Sequence, residues 1–419
     1  MKKFLLVLLI LMLLFGGYLL YNNKFEEKIP VLELEEEVIN IDELFIYGTH
    51  LNIHGNTVND SNLKLVLYNG EFIEKDINII DNSFNLSDYV NDGLYLDDIP
   101  VGNYYMFLRS ESLNEEDETV YKYYALNNTT DYKETIYYTF SNFNNKIVIN
   151  SEDSYPTMMM NISENKDNDI YDIVIDPGHG GIDGGAGNNG YSESDFTLKI
   201  ANKLKKKLEE YGFRVKLTHE EGQLSMSEKL KDYGVNGRAS IPYEVNAKYL
   251  FSIHMNSNYY EYVNGLEIYT AANINYDFSK LLASNIIKSA NINYSSNMIN
   301  RMYDGIYTRT FTESDIADSL KDYEKDKINA YDITTKSNYY YIIRETGGIV
   351  TGAYVDDRND EIVGNPYVLS NVGTEAYLLE LGYISNKNNL NNMINNMDKY
   401  VEGIFNSIST LYNKKNIDQ

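Results

Sequence analysis

The chain has 419 residues, enough for two folded units rather than one ordinary domain. A formal net charge of −26 with no evident basic face excludes a phosphate-backbone partner, so no nucleic-acid role is expected. The absence of cysteine excludes a thiol nucleophile, a thiolate zinc finger, a disulfide framework and an N-terminal lipoprotein cysteine.

Lys2 and Lys3 precede an apolar run over residues 4–21, broken only by Gly16 and Gly17. Eighteen residues lie at the lower end of what crosses a hydrocarbon core of about 30 Å. No small-x-small cleavage site follows, and the two lysines favour a cytoplasmic N-terminus. Residues 1–23 are therefore expected to form a transmembrane signal anchor, single-pass, with the bulk of the chain extracytoplasmic. The alternative is a cleaved signal peptide and a secreted chain. Residues 24–41 carry Glu26-Glu27-Lys28 and Glu33-Leu34-Glu35-Glu36-Glu37, the composition of a solvated acidic linker.

Residues 42–150 hold short strand-like runs such as Leu63-Lys64-Leu65-Val66-Leu67-Tyr68 and Tyr104-Tyr105-Met106-Phe107-Leu108. Turn signals separate them (Asn69-Gly70, Asp92-Gly93), which predicts a small all-β, sandwich-like domain. His50 and His54 lie here with no third ligand nearby and are read as ordinary polar residues. Residues 151–170 are polar and read as a second linker.

From 171 to 415 strands alternate with helices, predicting an α/β unit with a mainly parallel sheet flanked by helices. Leu198, Ala201, Leu208 and Tyr211 follow helical spacing up to Gly212, and residues 278–289 and 390–411 mark two further helices. The run Asp172-Ile173-Val174-Ile175 leads into Asp176-Pro177-Gly178-His179-Gly180-Gly181. His179 thus stands where a parallel strand ends, the edge at which such sheets bind ligands. A glycine-rich anion-binding turn is the bland alternative, but no lysine of the phosphate-loop type follows. Glu193 precedes a helical pattern; taken alone it reads as a first-turn carboxylate favoured by the helix dipole. His254 ends Tyr249-Leu250-Phe251-Ser252-Ile253, where a satisfied core histidine is the usual explanation. Together, two imidazoles and one carboxylate leaving such a sheet suit a catalytic zinc site with one open position. Glu380 ends Ala376-Tyr377-Leu378-Leu379, where a charge is costly without a partner; a buried ion pair with Arg344 is one solution.

In pieces between about 170 and 415 the chain resembles the zinc-dependent N-acetylmuramoyl-L-alanine amidases. The pieces are Ile175-Asp176-Pro177-Gly178-His179-Gly180-Gly181 with Asp183-Gly184-Gly185-Ala186, Glu193-Ser194-Asp195, Val215-Lys216-Leu217-Thr218 and Arg238. Further along come Ser252-Ile253-His254-Met255-Asn256, Gly265-Leu266-Glu267-Ile268-Tyr269 and Leu378-Leu379-Glu380-Leu381-Gly382-Tyr383-Ile384-Ser385-Asn386. The resemblance implies Zn2+ held by His179, Glu193 and His254, Glu380 as general base, and Arg344 as a substrate contact. It implies peptidoglycan as substrate and hydrolysis of the muramoyl–L-alanine amide. A zinc peptidase acting on the stem peptide and an inactive wall-binding or regulatory protein are the alternatives. His219 is read as surface structure and Arg238 as a loop brace. Tyr341-Ile342-Ile343-Arg344-Glu345-Thr346 is read as a strand, and the loop-rich stretches 301–338 and 347–375 as inserts.

Overall fold

The computed structural model describes residues 32–58, 62–128, 138–142, 145–150, 156–164, 170–220, 231–232, 234–327, 333–353, 365 and 367–412. The apolar N-terminal run lies outside them. Among the described residues no helix is long and apolar enough to cross a membrane.

Between Ile39 and Glu164 the described elements are all strands. They join one hydrogen-bonded network instead of two separate sheets, and it closes around its own apolar core, which includes Ile53, Leu65, Met106, Leu108 and Ile162. The stretch expected as a second linker contributes the strand Met159–Glu164, because Met160 and Ile162 alternate inward on a half-buried pleat. The strand Ile39–Tyr47 serves two cores. A register shift between Ile41 and Glu43 changes which side chains face which side. Leu44 and Ile46 then pack into the β core, while Phe45 and Tyr47 enter the core of the following unit.

That unit is built on a seven-stranded sheet in the order Val215–Leu217, Ile173–Pro177, Tyr249–Asn256, Glu375–Tyr383, Glu267–Thr270, Ile306–Thr308, Arg301–Tyr303. The first four strands are parallel. The sheet as a whole is mixed, because Glu267–Thr270 runs antiparallel to Glu375–Tyr383. Residues 257–266 are too few for a crossover helix, so the chain leaving the His254 strand can only return antiparallel. Two strands at the far edge come from the expected insert, which also carries the helix Glu313–Asp326.

The helix Glu193–Glu210 buries Phe196, Ile200, Ala201, Leu204 and Leu208, a stripe at i, i+4, i+5, i+8 and i+12. Gly212 follows at φ 81°, where a side chain is disfavoured and the helix stops. Asp277–Ala290 and Lys387–Tyr412 pack beside one another; Gly403 allows this, since a Cβ there would meet the Ile286 Cα at 2.7 Å. The expected strand at 341–346 is a helix, Tyr341–Thr346, closed by Arg344 N–H on the Tyr340 carbonyl and Gly347 N–H on that of Ile343. A six-residue segment with only Tyr341, Ile342 and Ile343 apolar has no period that separates a buried strand from a buried helix, and packing decided it.

The two units share an extensive boundary at the amino ends of the parallel strands. Ile46 and Tyr47 pair in parallel with Val372 and Gly373, which lead into the Glu375 strand. Asn91 Nδ2 donates to Glu375 Oε1 at 2.8 Å, Thr49 and Tyr249 share a 3.2 Å hydroxyl contact, and Lys248 faces Asp97 at 3.6 Å.

Candidate metal centre and active site

His179 leaves its strand with φ 63°, a left-handed conformation rare for a side-chain-bearing residue, and Gly180 and Gly181 continue the turn at φ 118° and 64°. Arg238 holds that turn from within. Its NH1 donates to the Pro177 carbonyl at 2.9 Å and to Asp176 Oδ1 at 3.3 Å, and its NH2 donates to the His179 carbonyl. Asp176 is buried and also accepts from Thr218 and Ser252, each at 2.6 Å. Burial raises its carboxyl, but Arg238 and the two hydroxyls leave it below the usual carboxylate range.

Glu193 opens its helix behind the Ser192 cap, and its carboxylate sits between the two imidazoles. Its Oε2 lies 3.1 Å from His179 Nε2 and its Oε1 3.0 Å from His254 Nδ1. Backbone N–H groups of Ala186 and Met255 donate to the same two oxygens at 3.0 and 2.9 Å. Burial raises Glu193, but the hydrogen bonds with His179 and His254 hold it well below the usual carboxylate range. The three residues offer ligand atoms that all lie within 4.8 Å of one another. Two nitrogens and one oxygen in that compass fit a divalent ion with a position left for water or substrate. Glycines make the space. A Cβ on Gly178 would meet His254 Cε1 at 2.4 Å, and one on Gly185 would meet His179 Cδ2 at 2.6 Å and Glu193 Oε2 at 2.7 Å.

Asp183 completes the cluster. Its Oδ2 lies 2.9 Å from His179 Nδ1, which orients the ring and leaves Nε2 for a ligand role, and Lys231 stands 3.6 Å behind it. Asp183 carries no role that its sequence context assigns; its place four residues after a histidine in a glycine-rich turn is the signal that marks it.

Glu380 is the register neighbour of His254 in the parallel pair. It is half-buried, and its Oε2 is shielded from solvent with no hydrogen-bond partner. Burial, and then the anionic Glu193 and Glu267, push its carboxyl well above the usual range. Glu267, across the antiparallel pair from Glu380, is saturated by Ser295 at 2.7 Å, Tyr269 at 2.8 Å, Asn256 at 3.0 Å and the Tyr383 hydroxyl. That network was not legible in the sequence, since its members come from separate elements and Tyr383 lies 116 residues from Glu267.

Arg344 does not pair with Glu380, and it is not placed as a substrate contact. It is buried, with Nε on Glu345 Oε1 at 2.8 Å and NH1 on the carbonyls of Asn338 and Tyr339, both at 2.9 Å. It braces its short helix against the preceding loop. His219 is buried as well, not at the surface; it contacts Thr218 Oγ1 at 3.2 Å, and burial pushes it down to about 4. His50 and His54 do not converge: His54 Nδ1 meets Glu43 at 3.0 Å, while His50 contacts Thr49.

A family model described as N-acetylmuramoyl-L-alanine amidase matches residues 173–410. A protein of Buchnera aphidicola subsp. Schizaphis graminum named as an N-acetylmuramoyl-L-alanine amidase is 29% identical over 217 residues, 51% of this chain and 83% of that protein. The germination-specific N-acetylmuramoyl-L-alanine amidase of Bacillus subtilis is 34% identical over 91 residues, 20% of this chain and 38% of its own length. Among solved structures, the catalytic domain of CwlV from Bacillus (Paenibacillus) polymyxa var. colistinus aligns at TM-score 0.37 and 19% identity. That alignment covers 58% of this chain and 98% of that one.

Proposed function

This chain belongs to the N-acetylmuramoyl-L-alanine amidase family, hydrolases of the amide between the muramoyl group and L-alanine in peptidoglycan, and we propose that it works through zinc and a glutamate base. The observation that carries this reading is the convergence of His179, Glu193 and His254 within 4.8 Å, beside a Glu380 whose Oε2 has no partner. Zinc at the three ligands would supply Lewis acidity toward the scissile carbonyl and toward water. Glu380 Oε2 takes the proton of the attacking water and hands it to the departing alanine nitrogen. Burial and two anionic neighbours raise its affinity for that proton, and the charge of a metal ion at Glu193 would act against them. Glu267, fixed by four donors, keeps one of those charges in place. Asp183 and Arg238 hold the His179 turn, so the ligand geometry is set before substrate arrives.

Two variants separate base from ligand. Glu380→Gln keeps size and is expected to retain zinc while turnover on purified wall falls by roughly 10²–10⁴. His179→Ala is expected to lose metal and activity together, because two ligands hold zinc poorly. Metal content and release of new alanine amino termini are the measurements. Near-normal turnover of Glu380→Gln with zinc bound would make Glu380 a structural carboxylate, and release of other amino termini would indicate a stem-peptide peptidase.

We place the enzyme outside the cytoplasmic membrane, where peptidoglycan lies, held by residues 4–21. The protein is then expected in the membrane fraction with Met1 intact. A soluble form beginning between Asn22 and Glu37 replaces the anchor with a cleaved signal peptide.

A further inference from the structure

The connection between the His254 strand and the Glu267 strand carries an exposed aromatic row that no part of the hydrolysis uses. Tyr259 and Tyr262 are 92% and 73% exposed, and Tyr260 between them is exposed as well. The rings are not splayed at random. Tyr259 meets Tyr260 edge to face at a centroid distance of 5.2 Å, and Tyr260 stacks on Tyr262 at 5.4 Å.

The loop beneath them is fixed. Asn258 N–H donates to Ser385 Oγ at 3.0 Å, and Asn386 Nδ2 donates to the Glu261 carbonyl at 2.7 Å. Gly265 N–H donates to Asn389 Oδ1 at 2.9 Å. Tyr260 N–H closes on Asn258 Oδ1 at 2.9 Å and Val263 N–H on the Tyr260 carbonyl at 3.0 Å. Ser385 and Asn386 are the residues that follow the Glu380 strand, so the row is pinned to the rim on which the candidate base stands. Tyr259 follows His254 by five positions, which confines its α-carbon to within about 17 Å of that ligand's, and Tyr262 to within about 28 Å. Ile182, 90% exposed on the turn after His179, shows that the rim is uncovered on the other side too.

Charge selects the occupant. Residues 257–265 contain one acid, Glu261, and no base, so the loop has nothing with which to bind a stem-peptide carboxylate. Tyrosine faces stack on apolar C–H surfaces, and their hydroxyls and the loop amides reach neighbouring hydroxyl groups. Such a surface suits a neutral pyranose ring. The bond cut by this family joins a sugar substituent to a peptide, so a bound substrate must carry its sugars past this rim.

We propose that Tyr259, Tyr260 and Tyr262 form a glycan-stacking platform that holds the polysaccharide strand of peptidoglycan beside the metal centre. This rests on the amidase reading for the choice of ligand. The test uses the full chain and its Tyr259→Ala/Tyr262→Ala double variant, with peptide-free glycan strands as the binding probe and intact wall as the substrate. Both side chains point to solvent, so zinc content and circular dichroism are expected to match the parent. The variant should lose about tenfold in glycan affinity, the order set by two stacking faces, with a rise in KM on wall that exceeds any fall in kcat. Tyr259→Phe/Tyr262→Phe keeps the faces and should recover most of the binding. Equal glycan affinity and equal KM in the parent and the alanine variant overturn the platform while leaving the amidase reading intact. A parent that binds glycan through these tyrosines yet leaves wall uncut overturns the amidase reading and keeps the platform.

Discussion

At the scale of single residues, the metal centre depends as much on atoms that are missing as on ligands that are present. Gly185 sits at φ 64° with its α-carbon against both His179 and Glu193. A methyl there would need to occupy space within 2.6 Å of the His179 ring and 2.7 Å of the Glu193 carboxylate. Neither group can retreat: Asp183 holds the one, and two backbone N–H groups hold the other. Gly185→Ala should therefore weaken metal binding at the three ligands by about 10–100-fold, as displacing a ligand-orienting group does. Alanine at φ 64° is itself strained, so the thermal midpoint of the metal-free protein should fall modestly as well. Competition with a chromophoric chelator measures the affinity; an unchanged value would mean that the turn relaxes and the glycine is incidental.

At the scale of elements, legibility followed periodicity. Three long helices were visible because their apolar residues recur at 3.6-residue spacing, whereas the charge-rich Glu313–Asp326 was not; the ligand-bearing strands were visible because short apolar runs end in glycine or in polar loops. His179, Glu193 and His254 could each be placed on an element end, and the resemblance grouped them; their separations needed three dimensions. Tyr341–Thr346 failed for the opposite reason. Ile342 and Ile343 favour a strand locally, and consecutive burial does not tell the two states apart, since the strand Ile173–Pro177 is buried throughout; packing selected the helix. Arg344 followed that misreading. A side chain assigned to a strand near the site instead turned inward to satisfy carbonyls of the loop before it. Met159–Glu164 was missed because its flanks are polar; it pairs with Asn145–Asn150 just before it and with Gly102–Leu113 about fifty residues earlier.

At the scale of the whole molecule, ionisable groups buried in and around the two units set how stability follows pH. Glu375 is buried between Asn91 of the β region and Tyr377 of its own strand, and burial pushes it up to about 7. A carboxyl raised from its ordinary 4.5 holds more protons folded than unfolded. Its contribution is complete below about 4.5 and is lost as the pH rises through 7. His50 and His219, both pushed by burial from 6.5 down to about 4, act in the other sense. Their contribution is complete above 6.5 and is lost as the pH falls toward 4. Glu375→Gln retains an oxygen for Asn91 and Tyr377 and removes the ionisation. It should stabilise the protein at pH 8 by on the order of 2–3 kcal/mol and by little at pH 5. Urea midpoints at the two pH values decide it, and no gain at pH 8 would mean that Glu375 is not forced to ionise inside the boundary.

The pairing of Ile39–Tyr47 with Val372 and Gly373 also orders events in time. Asn371 reaches back to the Leu44 carbonyl across 327 residues of chain. A nascent polypeptide emerging from its N-terminus presents that strand with Phe45 and Tyr47 uncovered until nearly all of the chain has followed. Contacts this distant close late, because the loop between them must first be brought together. During the interval the open edge is a template for another copy. Assembly of this protein is therefore expected to be slow and sensitive to concentration, with aggregation seeded at the strand Ile39–Tyr47 and quenched by Val372–Gly373.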